Sequence, residues 1–373
     1  MSEISKNVWF VTGGGTGGHI YPAMAVADEL SKDGKIYYVG NKRNMEFELA
    51  AKKGYKFLHV GVSGMPRKLS PKIFYWGIRL IRAILYSIKY INKYKPHAVF
   101  ATGGYVSAPM IFACIITKTP YMMHDCDAMP GLVSRRLSKR AKYVSLAFAK
   151  AKRYIPNRNT IVTGNPIRAE FSSLTKEEAR EKLGLKSGIV LTIMGGSQGA
   201  KSINNASVDL LKEFIQDDNL QIVFQTGKKN FDEIVNKLNL IYPAWIHEEK
   251  LIVRPYFMDM VSVLKSSDIV ISRAGSLSLS EICASATAPI LVPYPYAAAN
   301  HQRLNAKSLL EAGACIYIED KELEPNILRD TIHELLKNPV KMDYLKQNSA
   351  MLAKYDATVR IADCVKKISI KKV

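Results

Sequence analysis

Three turns in this chain combine glycine with residues able to hold an anion. They read Gly13-Gly14-Gly15-Thr16-Gly17-Gly18-His19, Thr102-Gly103-Gly104-Tyr105 and Gly195-Gly196-Ser197-Gln198-Gly199. A fourth, Arg273-Ala274-Gly275-Ser276, is poorer in glycine. Each follows a short apolar run and precedes a helical pattern. Glycine lets the backbone approach a ligand and adopt positive φ. The helix that follows offers unpaired N–H groups and the positive end of its dipole. Such turns in both halves of the chain suit phosphorylated ligands held beyond the carboxyl ends of parallel strands. Two domains facing across a cleft would provide that arrangement.

The first turn formally matches a dinucleotide fingerprint, Gly13-x-Gly15-x-x-Gly18, which is weak by itself. An NAD site wants an acidic residue at the end of the second strand. This sequence has Val39-Gly40-Asn41-Lys42-Arg43 there. NAD is disfavoured, although Lys42 and Arg43 leave room for NADP. The nucleotide-triphosphate loop fails because no Gly-Lys-Ser/Thr follows. Any single glycine turn can be merely structural; the set is harder to explain that way.

The elements that must position these turns alternate along the chain. Candidate strands in the first half are 8–12, 36–39, 57–60, 98–101, 121–124, 143–146 and 160–163. Candidates in the second half are 189–194, 220–225, 251–253, 268–271, 289–292 and 314–318. Helical patterns between them argue for α/β architecture, with parallel sheets covered on both faces. A boundary falls near Gly164-Asn165-Pro166, and Thr175 with Glu178 forms a capping-box pattern just beyond it. The expected domains are 1–165 and 166–349. The basic, helical tail, about 350–373, is expected to pack back on the first.

Bulk properties bound the rest. A chain of 373 residues suits two domains. Lys and Arg number 53 against 33 Asp and Glu, a formal charge of +20. That excess points to an acidic partner: nucleic acid, an anionic membrane or phosphorylated ligands. No nucleic-acid-binding motif is visible. Five widely spaced cysteines without a CxxC argue against a disulfide framework or a zinc site. The start MSEISKN is no signal peptide, and no run is long enough to span a bilayer. A cytoplasmic protein, peripheral to a membrane, is the expectation.

The motifs together resemble glycosyltransferase family 28, the MurG family of N-acetylglucosaminyltransferases. The resemblance is carried in order by residues 13–22, 102–107, 163–168 (Thr-Gly-Asn-Pro-Ile-Arg), 195–200, 273–281 and 301–306 (His-Gln-Arg-Leu-Asn-Ala). It spans roughly residues 8 to 320. It implies a GT-B fold, two Rossmann-like domains facing across a cleft, with no obligatory metal or cofactor. It implies inverting transfer of N-acetylglucosamine from UDP-GlcNAc to lipid I, the undecaprenyl-diphospho-muramoyl-pentapeptide, giving lipid II for peptidoglycan. Partners would be these two substrates, an anionic membrane surface and the cell-wall synthesis machinery, at the cytoplasmic face of the membrane. Another lipid-directed UDP-sugar transferase, a UDP-GlcNAc 2-epimerase and a non-catalytic sugar-nucleotide sensor are the alternatives.

The resemblance also implies roles. Glu281 would accept hydrogen bonds from the ribose diol. Phe257 would meet uracil through its backbone. Ser197, Ser276, Leu277 and Ser278 at helix starts would hold the donor diphosphate, with Arg168 neutralising charge. Gln302 and Asn305 would read sugar hydroxyls. Thr16, Gly17 and Gly18 would also line the UDP-GlcNAc site. Gly14, Gly15, Gly103, Gly104 and Tyr105 would hold the acceptor diphosphate. Inversion needs a base, and His19 at a helix start is the expected one, kept neutral by the helix dipole. The alternative for His19 is that it only positions diphosphate. His124 is a second candidate, more often a structural hydrogen-bonder. The family usually has His-Glu-Gln-Asn where this chain has His124-Asp125-Cys126-Asp127. An ionised Asp127 can only accept a hydrogen bond, whereas asparagine also donates; Asp127 is nonetheless expected to face the donor sugar.

Residues 72–95 mix aromatic and aliphatic side chains with Lys and Arg. Arg79 and Arg82 disqualify a membrane span, but a basic amphipathic helix can lie in the interface. Phe74, Trp76 and Ile78 are its expected membrane contacts. A core-packing helix with a solvated face is the alternative.

Overall fold

A computed structural model describes residues 7–66, 71–196 and 198–369. Ser197, one of the expected diphosphate contacts, lies outside the described residues. The chain divides into two compact units, Met1–Ile167 with Asp356–Val373, and Arg168–Tyr355.

The first unit holds seven parallel strands: β1 (Asn7–Thr12), β2 (Gly34–Gly40), β3 (Lys56–His59), β4 (Ala98–Ala101), β5 (Tyr121–Asp125), β6 (Tyr143–Leu146) and β7 (Thr160–Val162). Their order is β3-β2-β1-β4-β5-β6-β7. The strands are near-continuous apolar runs because both sheet faces are covered. Alternate side chains enter two cores, Phe10, Val39, Val99 and Met123 in one, and Trp9, Val11, Tyr38 and Phe100 in the other. The helix Ala357–Ser369 completes the second core with Ile361, Ala362 and Val365. The Trp9 indole donates to Ser369 Oγ at 2.8 Å. Of the tail expected at about 350–373, the part from Asp356 on groups with the first unit, while the preceding helix Pro339–Met351 belongs to the second.

The second unit has β8 (Ile189–Met194), β9 (Leu220–Gln225), β10 (Leu251–Arg254), β11 (Ile269–Ser272), β12 (Ala288–Leu291) and β13 (Ile316–Tyr317), in the order β10-β9-β8-β11-β12-β13. Its first full helix, Lys176–Leu183, opens on a complete capping box. Thr175 Oγ1 accepts from Glu178 N at 3.2 Å, and Glu178 Oε2 accepts from Thr175 N at 2.8 Å. That helix is tied to the sheet through Asp268, which receives Lys176, Arg180 Nη2 at 2.7 Å and Lys346 Nζ at 2.8 Å. Val190 N also donates to Asp268 at 2.9 Å.

Strand order fixes where ligands can bind. In the first sheet the order reverses between β1 and β4, whose ends carry the first and second glycine turns. In the second it reverses between β8 and β11, whose ends carry the third and fourth. Each unit thus opens a crevice at its own switch point, where doubly wound sheets bind ligands.

Candidate active site

In the first unit the two glycine turns interlock. His19 lies in the first turn of the helix Gly17–Ser31, and its Nδ1 is 2.8 Å from the Thr102 carbonyl. A carbonyl only accepts, so Nδ1 carries the proton and Nε2 is the basic nitrogen of the neutral ring. Thr102 Oγ1 donates in return to His19 O at 2.6 Å. This close approach requires glycine. A Cβ on Gly13 would come within 2.7 Å of His19 O, and one on Gly104 (φ 72°) within 2.9 Å of Gly14 O and 3.0 Å of His19 Cδ2. The Tyr105 ring covers Gly15. No side chain caps the helices Gly17–Ser31 and Gly104–Thr117, whose N-cap positions are Thr16 and Gly103. The structure therefore brings Gly14, Gly15, Thr16, Gly17, Gly18, His19, Gly103, Gly104 and Tyr105 to one edge.

The end of β5 joins that edge as a scaffold. His124 is fully buried, with Nδ1 at 2.6 Å from Ser145 Oγ and Nε2 at 3.0 Å from Asn165 Oδ1. Burial lowers its pKa to about 4. It is a neutral structural residue with both nitrogens engaged, and the second candidate for the base is withdrawn. Asp125 is pushed up to about 7, first by burial. Its Oδ1 accepts from Asp127 N at 3.2 Å and its Oδ2 from Gly131 N at 3.1 Å, which shapes the loop that presents Asp127. The Cys126 thiol, held protonated by burial, donates to Gly18 O at 3.1 Å. The substituted motif thus supports the first glycine turn from beneath.

In the second unit Arg168 and Glu281 form a pair: Arg168 Nε and Nη2 lie 3.1 and 3.0 Å from Glu281 Oε1. Burial raises the Glu281 pKa, and Arg168 offsets part of that. Glu281 lies on the helix Ser276–Ala284, whose first position is Ser276, after Gly275. No side chain caps this helix, so Ser276, Leu277 and Ser278 present its first N–H groups rather than caps. Gln302 Oε1 accepts from Ala274 N at 3.2 Å and from Tyr294 N at 2.9 Å, joining two turns. Asn305 departs from expectation. It is 0% exposed and its Nδ2 donates to Ala274 O at 3.2 Å, so it fixes the turn before Ser276 instead of meeting a sugar. Phe257 N donates to Gln225 Oε1 at 3.0 Å, which leaves its carbonyl as the group able to take a uracil N–H.

If Glu281 holds the diol as a carboxylate, donor affinity weakens as pH falls, starting above the ordinary glutamate value of about 4.3 because burial favours the neutral form. Donor KM measured from pH 5 to 8 should rise toward the acid end in the native enzyme. In Glu281→Gln it should be uniformly raised and flat; a parallel acid rise in the variant would contradict the role.

Two residues escaped the sequence reading. Gln225 links Phe257 to the third glycine turn, its Nε2 donating to Gly196 O at 3.2 Å. A polar residue closing the apolar strand β9 was the available signal. Glu46 is fully buried against Gly14. It sits in an ordinary amphipathic pattern, and nothing marked it.

The helix Lys72–Tyr94 exposes Phe74 (72%), Ile78 (42%), Ile81 (60%) and Leu85 (59%) along one face. Trp76 departs from expectation: it is half-buried, and its indole donates to Ser63 O at 2.9 Å. It anchors the helix to its own unit.

Residues 9–146 match the glycosyltransferase family 28 N-terminal domain, and residues 190–361 the C-terminal domain. The UDP-N-acetylglucosamine–N-acetylmuramyl-(pentapeptide) pyrophosphoryl-undecaprenol N-acetylglucosamine transferase of Caldanaerobacter subterraneus subsp. tengcongensis is 36% identical over 366 residues, covering 97% of this chain and 100% of the relative. The enzyme of the same name from Desulforamulus reducens is 37% identical, covering 96% and 98%. The crystal structure of Acinetobacter baumannii MurG superposes with a TM-score of 0.76 at 26% identity, covering 97% and 99%. A UDP-GlcNAc 2-epimerase from Neisseria meningitidis shares the fold alone, with a TM-score of 0.67 at 13% identity.

Proposed function

The chain belongs to glycosyltransferase family 28, and from that membership we infer that it transfers N-acetylglucosamine from UDP-GlcNAc to lipid I, yielding lipid II and UDP. The observation that carries this reading is the identity of 36% to a transferase of that name along practically the whole of both chains. The fold is GT-B, two parallel-sheet α/β domains.

In this reading the second unit takes the donor. Helix Ser276–Ala284 meets the diphosphate, Glu281 holds the ribose, Gln302 meets the sugar and the Phe257 carbonyl meets uracil. Arg168 orients Glu281 and adds positive charge beside the diphosphate. The glycine turns of the first unit take the acceptor diphosphate on their N–H groups. His19 removes the proton of the attacking hydroxyl through Nε2, and the helix N-terminus at the donor diphosphate stabilises the departing UDP. Asp127 faces the donor sugar as an acceptor of its hydroxyl hydrogens.

An epimerase would act on UDP-GlcNAc alone. UDP release and appearance of the 2-epimer should be followed with and without a lipid I analogue. Release that depends on the analogue, with no epimer formed, supports transfer; epimer formed without acceptor contradicts it.

The acceptor's lipid places the reaction at a membrane, and no described helix is long and apolar enough to cross one. We propose that Lys72–Tyr94 rests on the bilayer through its exposed apolar face, with Arg79 and Arg82 meeting anionic headgroups. Replacing Phe74, Ile78 and Ile81 with serine should cut co-sedimentation with anionic vesicles about tenfold or more, because each apolar side chain loses its burial in lipid. Melting temperature should be kept. Unchanged co-sedimentation would remove this helix from the membrane account.

A further inference from the structure

Beside the first glycine turn lies a second turn whose chemistry the reaction has not yet used. It joins β2 to the helix Met45–Lys52 and carries Lys42 and Arg43. Because β1 and β2 pair in parallel, with Thr12 opposite Val39, the two turns leave the same sheet edge side by side.

The turn is built to a fixed shape. Asn41 is buried, and its side chain pairs with Val62 in both directions, Nδ2 to Val62 O at 2.7 Å and Val62 N to Oδ1 at 3.1 Å. Lys42 N donates to His59 Nδ1 at 3.2 Å. Glu46, fully buried, closes it: Oε1 accepts from Asn41 N at 3.2 Å and from Asn44 Nδ2 at 3.1 Å. The same oxygen lies 2.6 Å from where a Cβ on Gly14 would stand. Glu46 is thus a shared support under the glycine turn and the cationic turn. Its Oε2 is buried with no hydrogen-bond partner among the described residues, an uncommon expense for a native fold.

Held by this frame, Lys42 and Arg43 are both exposed. Neither has an acidic partner among the described residues. Two exposed cations without an acidic partner among the described residues, on a hydrogen-bonded turn next to N–H groups that can hold a diphosphate, form a site for further negative charge.

We propose that Lys42 and Arg43 bind an anionic group of the acceptor and that Glu46 positions them; this rests on the transferase reading above. The shared chemistry is an oxyanion, supplied by the acceptor's diphosphate or by a carboxylate of its peptide. NADP would need the same cations but no acceptor.

The test uses the whole protein, a detergent-soluble short-chain lipid I analogue, and no anionic lipid. Acceptor binding is measured by calorimetry beside transfer kinetics, with Lys42→Ala/Arg43→Ala as the main variant. Acceptor Kd and KM should rise roughly 2- to 30-fold, the worth of two exposed ion pairs, while donor KM and melting temperature hold. If the rise persists with an analogue lacking the peptide, the anion is the diphosphate; if it vanishes, it is a peptide carboxylate. Either supports the site. Glu46→Gln keeps an acceptor oxygen and should retain more acceptor affinity than Glu46→Ala. A double variant that binds and uses the acceptor like the native protein overturns the proposal and leaves the transferase reading standing. A native protein that binds no acceptor overturns both.

Discussion

Replacing His19 with alanine is expected to lower kcat by about 10²- to 10⁴-fold, the usual worth of a positioned general base, while UDP-GlcNAc affinity stays near that of the native enzyme. The case rests on what holds the ring. Thr102 O fixes the proton on Nδ1 at 2.8 Å, and Thr102 Oγ1 fixes the backbone of His19 at 2.6 Å. Nε2 is then the basic nitrogen in a helix start flanked by glycine. Its rivals are poorer. His124 has both nitrogens engaged and a pKa lowered to about 4 by burial. Asp125 is 3% exposed and spends both oxygens on backbone N–H groups. If His19 only orients diphosphate, His19→Ala raises acceptor KM with kcat preserved, and the base lies elsewhere.

The second large effect is on stability. Asp268→Ala should destabilise the protein by roughly 3–5 kcal/mol, the cost of removing one member of a buried ionic cluster. Asp268 gathers Lys176, Arg180 and Lys346 around an 8% exposed carboxylate and also takes Val190 N. Removing it leaves three cations facing one another and a buried N–H unpaired. Burial alone would raise the Asp268 pKa, but the hydrogen bonds from Lys176, Lys346 and Val190 N bring it below the ordinary value. The group's contribution is therefore present above the unfolded value of about 3.9 and is lost as pH falls through the lower folded value. Urea titrations at pH 7 should show a clearly lower midpoint for the variant, and the gap should narrow toward pH 3. A loss of unfolding free energy under about 1 kcal/mol at pH 7 would mean that the cations find solvent instead.

Much of the fold was legible because parallel strands buried on both faces are short apolar runs, and those runs fall where β1 to β12 form. Only Ile316–Tyr317 forms a strand within the apolar stretch 314–318. Strand order was not legible, since it depends on pairings such as Thr12 with Ala101 across 89 positions of chain. That order is what turns four separate glycine turns into two crevices.

At the site, local motifs were readable and their partners were not. His19 announced itself by its glycines, yet the carbonyl that sets its tautomer lies 83 residues away. Asn305 was expected to read a sugar hydroxyl because its burial is a tertiary property; the fold puts it beneath the Ala274 turn. Trp76 looked like a membrane anchor for the same reason, since only the fold brings Ser63 O to its indole. Glu46 carried no signal at all, because a glutamate in an amphipathic helix is usually solvated.

The most direct test of the central claim supplies purified protein with labelled UDP-GlcNAc and a lipid I analogue and isolates the labelled lipid. The account predicts a disaccharide-lipid, β-linked, that forms only when both substrates are present. Bound UDP-GlcNAc with no sugar transferred to that acceptor would contradict it.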